Sequence, residues 1–112
     1  RHDGGAGQVR YDRNFCLSQE RRALTRAAIA KGAHSGVEME VWTTEPGIQL
    51  YSGHYIPPGL SGLEGKKHQP FAGFCLEAQD WPDSPNHPHF PQAILRPGET
   101  YRQQTEYRFR KT

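Results

Sequence analysis

Cysteine is scarce in this chain: Cys16 and Cys75 are the two among 112 residues, and neither belongs to a Cys-x-x-Cys pair. Two isolated cysteines make a poor disulfide framework and no patterned zinc site. Both lie in apolar, strand-like runs, where they read as small buried side chains, and such thiols favour a reducing, cytoplasmic setting. An excess of one charge is also lacking. Fourteen Lys and Arg stand among twelve Asp and Glu, for a net charge of +2. No basic stripe forms, so nucleic acid is not an expected partner. No apolar run approaches the length that spans a bilayer, so neither is a membrane, and no secretory signal is visible. No glycine-rich phosphate loop, Gly-x-Ser-x-Gly or His-Glu-x-x-His is present, which leaves kinase, hydrolase and dinucleotide readings without support.

Apolar residues are also few, at 34%, and the mean hydropathy is −0.88. Aromatic residues, at 11%, recur along the chain and argue against disorder. Twelve glycines and nine prolines cluster between the apolar runs. That is the composition of short strands joined by turns.

Residues Arg1 to Gly7 read as a polar loop or loose end. Val9 to Leu17 is a first strand. Glu20 to Lys31 suits either a short helix or a strand, and its neighbours favour the strand. In Val37 to Thr44, Val37, Met39 and Val41 alternate with Glu38, Glu40 and Trp42, so one face is expected to be buried. Pro46-Gly47 marks a turn into a strand over Ile48 to Tyr55, and the spacing predicts an antiparallel hairpin. Pro57 to Pro70 reads as a long surface loop. Phe71 to Glu77 is an apolar strand ending in a carboxylate. Four prolines keep Asp80 to Pro91 out of helix and interior strand. Ala93 to Leu95 is a short extended piece, Arg96 to Glu99 a turn. Thr100 to Arg110 is a long alternating strand with Tyr101, Thr105, Tyr107 and Phe109 on one face. The fold class is all-β, mostly antiparallel. A chain of this length holds only part of a sandwich, whose unpaired edges would invite another chain.

Glu77 is the most informative polar side chain. A carboxylate closing an apolar run is costly unless solvated, paired or used, and partial burial would strengthen it as a base. Pattern alone reads it first as a solvated strand-end Glu. Gln49 and Asp12 offer donors and acceptors suited to sugar hydroxyls, yet each in isolation reads as an ordinary strand residue. His87-Pro88-His89 lacks the third ligand a zinc site requires. Trp42, Tyr51, Phe74 and Trp81 have faces on which a sugar could stack, but such residues more often form core or rim.

Taken in order, Gly73-Phe74-Cys75-Leu76-Glu77-Ala78-Gln79 followed by Asp80-Trp81-Pro82-Asp83-Ser84-Pro85-Asn86-His87-Pro88-His89-Phe90-Pro91 resembles the signature strand and loop of the aldose 1-epimerase family. Ile94-Leu95-Arg96-Pro97-Gly98-Glu99-Thr100-Tyr101 continues the match. Upstream, Tyr11-Asp12-Arg13-Asn14-Phe15 and Val41 to Tyr51 resemble two further segments. Arg13 stands where the family usually has histidine, and Ala78 where it commonly has Thr or Pro.

The resemblance implies the antiparallel β-sandwich of the galactose-mutarotase-like type, present here only in part as the C-terminal part of one domain. It implies interconversion of the α and β anomers of hexoses such as galactose and glucose, without cofactor or metal. Glu77 would be the catalytic base, and Asp12 and Gln49 would bind the monosaccharide. The family's acid is a histidine from the preceding part of the chain, and none of the six histidines here lies in a matching context. The expected partners are therefore a monosaccharide, the preceding part of the domain, or a second copy meeting the open strand edges. The alternative is a non-catalytic sugar-binding or interaction module.

Overall fold

The computed structural model describes His2, Asp3 and residues 9–112. Among the described residues ten strands run in chain order: β1 His2–Asp3, β2 Val9–Arg10, β3 Asp12–Cys16, β4 Thr25–Lys31, β5 Val37–Thr43, β6 Gly47–Tyr51, β7 Leu60–Ser61, β8 Lys67–His68, β9 Cys75–Gln79 and β10 Thr105–Lys111. The helical pieces among them are single 3-10 turns at Leu63–Gly65 and Ser84–Asn86. The described residues are thus all-β, as the resemblance implies, and the pairs β1–β2, β4–β5, β5–β10 and β7–β8 are antiparallel. No helix among them is long and apolar enough to cross a membrane.

The chain divides into two compact units. The first comprises Arg1–Arg13 and Gln49–Glu77. The second comprises Asn14–Ile48 and Ala78–Thr112. In the first, β1 pairs with β2, so His2–Asp3 is strand where a loop was expected; the rest of the expected loop lies outside the described residues. Residues 57–70, also expected as loop, carry the small ladder β7–β8, with Gly59 N–H on the His68 carbonyl at 2.9 Å.

The second unit holds the sheet β10-β5-β4. Glu20 to Lys31 forms strand over its second half only, Thr25–Lys31. The register aligns Tyr107, Val41 and Ala28, then Phe109, Met39 and Ala30, on one apolar face. The other face is charged. Arg26 meets Glu40 at 3.1 Å, Arg110 meets Glu38, and the Arg108 guanidinium lies 4.2 Å over the Trp42 ring. The expected burial of Val37, Met39 and Val41 holds fully for Val41 alone: Met39 is half-buried and Val37 exposed. Glu38 on the opposite face is buried instead, because Arg110 neutralises it.

The predicted hairpin between β5 and β6 does not form. β5 lies between β10 and β4, and β6 between β3 and β9. The reason lies in the residues joining them. The Pro46 carbonyl accepts the N–H groups of Leu17 (2.8 Å) and Ser18 (3.2 Å) and the indole Nε1 of Trp81 (2.9 Å), while Thr44 N–H donates to the Gln104 carbonyl at 3.0 Å. A link bonded to three other segments cannot close a two-strand turn. The core gathers here, on Val41, Thr43, Glu45, Pro46, Ile48, Trp81 and Ser84. The long final strand also starts later than expected, at Thr105. Residues before it are held irregularly, with Tyr101 bonded to Glu45 and Gln104 to Thr44.

Candidate functional site

The strands β3, β6 and β9 are neighbours in that order, and each carries one of the three expected site residues. Asp12 opens β3, Gln49 is the middle residue of β6, and Glu77 the middle residue of β9. Within the first unit the structure joins two of them: Gln49 Nε2 donates to Asp12 Oδ1 at 2.8 Å. The bond puts Asp12 and Gln49 on one face. It orients the amide and leaves the second Asp12 oxygen to accept from a ligand.

Glu77 differs from its expected setting. The apolar run does not extend as strand from Phe71. Phe71 adopts a left-handed backbone (φ 65°) with its N–H on the Gly53 carbonyl at 3.0 Å, and Ala72 N–H turns back to the Gln69 carbonyl. Strand geometry begins at Cys75. Glu77 is therefore central in β9, and it is exposed rather than partly buried. Alternation places it with Cys75 and Gln79.

In the second unit, Gln79 Nε2 donates to Asn14 Oδ1 at 3.1 Å. A Cβ on Gly47 would stand 2.8 Å from Asn14 Oδ1 and 3.1 Å from the Gln79 carbonyl, so the missing side chain is what lets β3 and β9 side chains meet over β6.

Both cysteines are exposed and free, which corrects the expectation of burial. They lie on strand faces that this chain leaves uncovered, and Asn14 Nδ2 approaches Cys16 Sγ at 3.8 Å. Of the aromatic candidates, Trp81 is core, with its ring edge-on to Phe90 at 5.0 Å. Trp42 is covered by Arg108, and the Tyr51 hydroxyl accepts the Tyr55 N–H at 3.0 Å. Phe74 is exposed. His87 stacks on Phe90 at 4.4 Å and meets Asp83 at 3.1 Å. The Asn86 amide first, and His87 with it, holds the Asp83 carboxyl below its ordinary range. Among the described residues no cluster of three or more His, Cys, Asp or Glu is arranged to hold a metal.

Sequence reasoning missed one feature. A cleft of about 220 Å³ is lined by Arg10, Asp12, Arg13, His54 and Tyr55. His54 is held there by a 2.8 Å bond between Nδ1 and Ser52 Oγ and by the rings of Tyr51, Tyr55 and Phe71. The signal available was the segment Tyr51-Ser-Gly-His54-Tyr55, whose Gly53 takes a positive φ of 69° that turns the chain back on itself.

Comparison with known proteins adds to this geometry. The sequence profile of the family described as Aldose 1-epimerase matches residues 4–108. The chain is 45% identical over 101 residues to the galactose mutarotase of Bos taurus and 43% identical over 99 residues to that of Mus musculus. It is 39% identical over 104 residues to the aldose 1-epimerase of Escherichia coli (strain K12). Each match takes in 88% of this chain, which spans 29% of the length of these relatives.

Proposed function

The chain belongs to the aldose 1-epimerase family, and on that premise we propose that it carries the base and two sugar-binding side chains of an enzyme that interconverts the α and β anomers of hexoses such as galactose and glucose. The observation that carries the reading is the 2.8 Å bond between Gln49 and Asp12, beside the strand that presents Glu77. Asp12 and Gln49 hold the hydroxyls of the sugar. Glu77 takes the proton from the C1 hydroxyl, the C1–O5 bond breaks, and O5 receives a proton as the ring opens to the aldehyde. Rotation about C1–C2 and closure on the opposite face give the other anomer. The proton for O5 comes from a group outside these residues, and the segment acts as the C-terminal part of one domain. The reading needs no cofactor or metal and suits a cytoplasmic enzyme.

Polarimetry of α-D-galactose and α-D-glucose tests it. A general base contributes roughly 10²- to 10⁴-fold, so Glu77→Gln is expected to slow the protein's mutarotation by at least about a hundredfold. An unchanged rate would remove Glu77 from the role. The second reading, a binding module, draws on the Asp12–Gln49 pair being formed in a chain that spans 29% of its relatives' length. Calorimetric sugar binding without interconversion would favour it.

A further inference from the structure

The cleft beside Asp12 holds more positive charge than a neutral sugar requires. Arg10 and Arg13 both line it. Four other guanidiniums are paired, Arg21 with Glu45 and Asp80, Arg26 with Glu40, Arg108 with Glu106 and Arg110 with Glu38, while Arg22, Arg96 and Arg102, like the two in the cleft, are in no ion pair among the described residues. Among the described residues, Arg10 and Arg13 make no ion pair, although the Asp12 carboxylate lines the same cleft. Asp12 has instead given one oxygen to Gln49. Two unpaired guanidiniums on a concave surface present forked donors that match the oxygens of a phosphate or carboxylate.

His54 adds a third nitrogen donor. Its Nδ1 is engaged by Ser52 Oγ at 2.8 Å, and the tilted rings of Tyr55 at 4.3 Å and Tyr51 at 5.2 Å hold the imidazole. Nε2 is the ring nitrogen left for a ligand. Tyr55, 73% exposed, offers a ring face at the same cleft, and aromatic faces suit the apolar side of a sugar. The volume, about 220 Å³, matches about seven waters at roughly 30 Å³ each. That accommodates an anionic group together with the carbon that bears it. The Asp12 charge disfavours a bare anion beside it, so the anion belongs on the guanidinium side with sugar hydroxyls between. Arg13, where related segments usually have histidine, brings a forked guanidinium in place of an imidazole.

We propose that Arg10, Arg13 and His54 form an anion subsite that takes a phosphate or carboxylate carried by the sugar bound at Asp12 and Gln49. The proposal rests on the sugar-binding reading above. It is tested by following backbone amide resonances of the 112-residue chain during titration with galactose, galactose 6-phosphate, galacturonate and inorganic phosphate. One of the two anionic sugars is expected to bind at least about tenfold more tightly than galactose at low salt, with the gain fading as salt screens it. Arg10→Gln with Arg13→Gln, its fold checked by circular dichroism, is expected to erase that gain while leaving galactose binding unchanged. Which of the two sugars gains identifies the anion. Galactose binding at Asp12 and Gln49 with no gain for either anionic sugar would overturn the subsite and leave the sugar site standing. Binding of inorganic phosphate alone, or of no ligand, would overturn both.

Discussion

Glu45 is the most enclosed charge in the described chain, with no accessible surface. Its Oε1 accepts from Arg21 Nε at 3.1 Å and from the Tyr101 hydroxyl at 3.2 Å, while Arg21 also reaches Asp80 at 2.5 Å. Glu45 Oε2 and Asp80 Oδ1 are buried without a partner among the described residues, so the cluster depends on Arg21. Burial alone lowers the Arg21 pKa, but the bond to Glu45 and the charges of Glu45 and Asp80 outweigh it and raise it overall. Arg21→Ala leaves a buried carboxylate without its counter-ion, and breaking such a pair costs about 3 kcal/mol when one partner is partly exposed. A urea midpoint lowered accordingly is the expected result; an unchanged midpoint would show that the cluster does not depend on Arg21. Burial of the hydroxyl, then the Glu45 charge, raises the Tyr101 pKa above 10.0 even though its ring is half exposed. The folded chain then keeps this proton after the unfolded chain has lost it, so the contribution is whole below the unfolded pKa. It declines as pH rises through the folded one. Absorbance at alkaline pH is expected to show one of the five tyrosines ionising after the others, and Tyr101→Phe to remove that phase.

At the level of elements, one glycine decides how three strands share a face. Gly47→Ala would place a methyl 2.8 Å from Asn14 Oδ1 and 3.2 Å from Trp81 Cδ1. Overpacking of this kind costs about 1 to 3 kcal/mol, and thermal melting measures it; a neutral substitution would mean that β3 and β9 part without penalty. The charged face of β5 reports on acid. Glu40 accepts from Trp42 Nε1 at 2.8 Å and from Arg26, and the Trp42 bond first, Arg26 second, lowers the Glu40 pKa below 4.5. With a depressed folded pKa, the stabilisation is present above the unfolded value and is lost as pH falls through the folded one. The Trp42 indole N–H resonance is expected to hold steady down to about the ordinary Glu pKa of 4.3 and to shift only below it, while that of Trp81, bonded to the Pro46 carbonyl, stays in place.

For the molecule, the open feature is the apolar face of β10-β5-β4. Phe109 is 67% exposed, and Tyr107 and Val37 are exposed with it, while β10 and β4 stand at the ends of the sheet order. Exposed strands of this kind pair or pack with another surface. Self-association of the chain through this face is the expected outcome in solution. The mass from light scattering is expected to rise with concentration, and Phe109→Lys to shift the rise to concentrations about tenfold higher. A monomer at every concentration would rule out the interface.

Alternation and turn chemistry determined much of this in the sequence itself. The strand at Val37–Thr43, the late strand through Phe109 and Arg110, the proline-held segment after Asp80 and the turn at Pro97-Gly98 depend on neighbouring residues and the backbone they allow. The ordered family segments pointed to Asp12, Gln49 and Glu77. Partner choice was not legible there, because it rests on bonds between residues far apart in the chain. Local spacing paired β5 with β6, yet the Pro46 carbonyl accepts from Leu17, Ser18 and Trp81 and sends the two strands to different sheets. Only the tertiary structure set Asp12 against Gln49, exposed Cys16 and Cys75, and gathered Arg10, Arg13 and His54 around one cleft. A residue's periodicity says which way it faces, whereas the chain's long-range bonds decide what it faces.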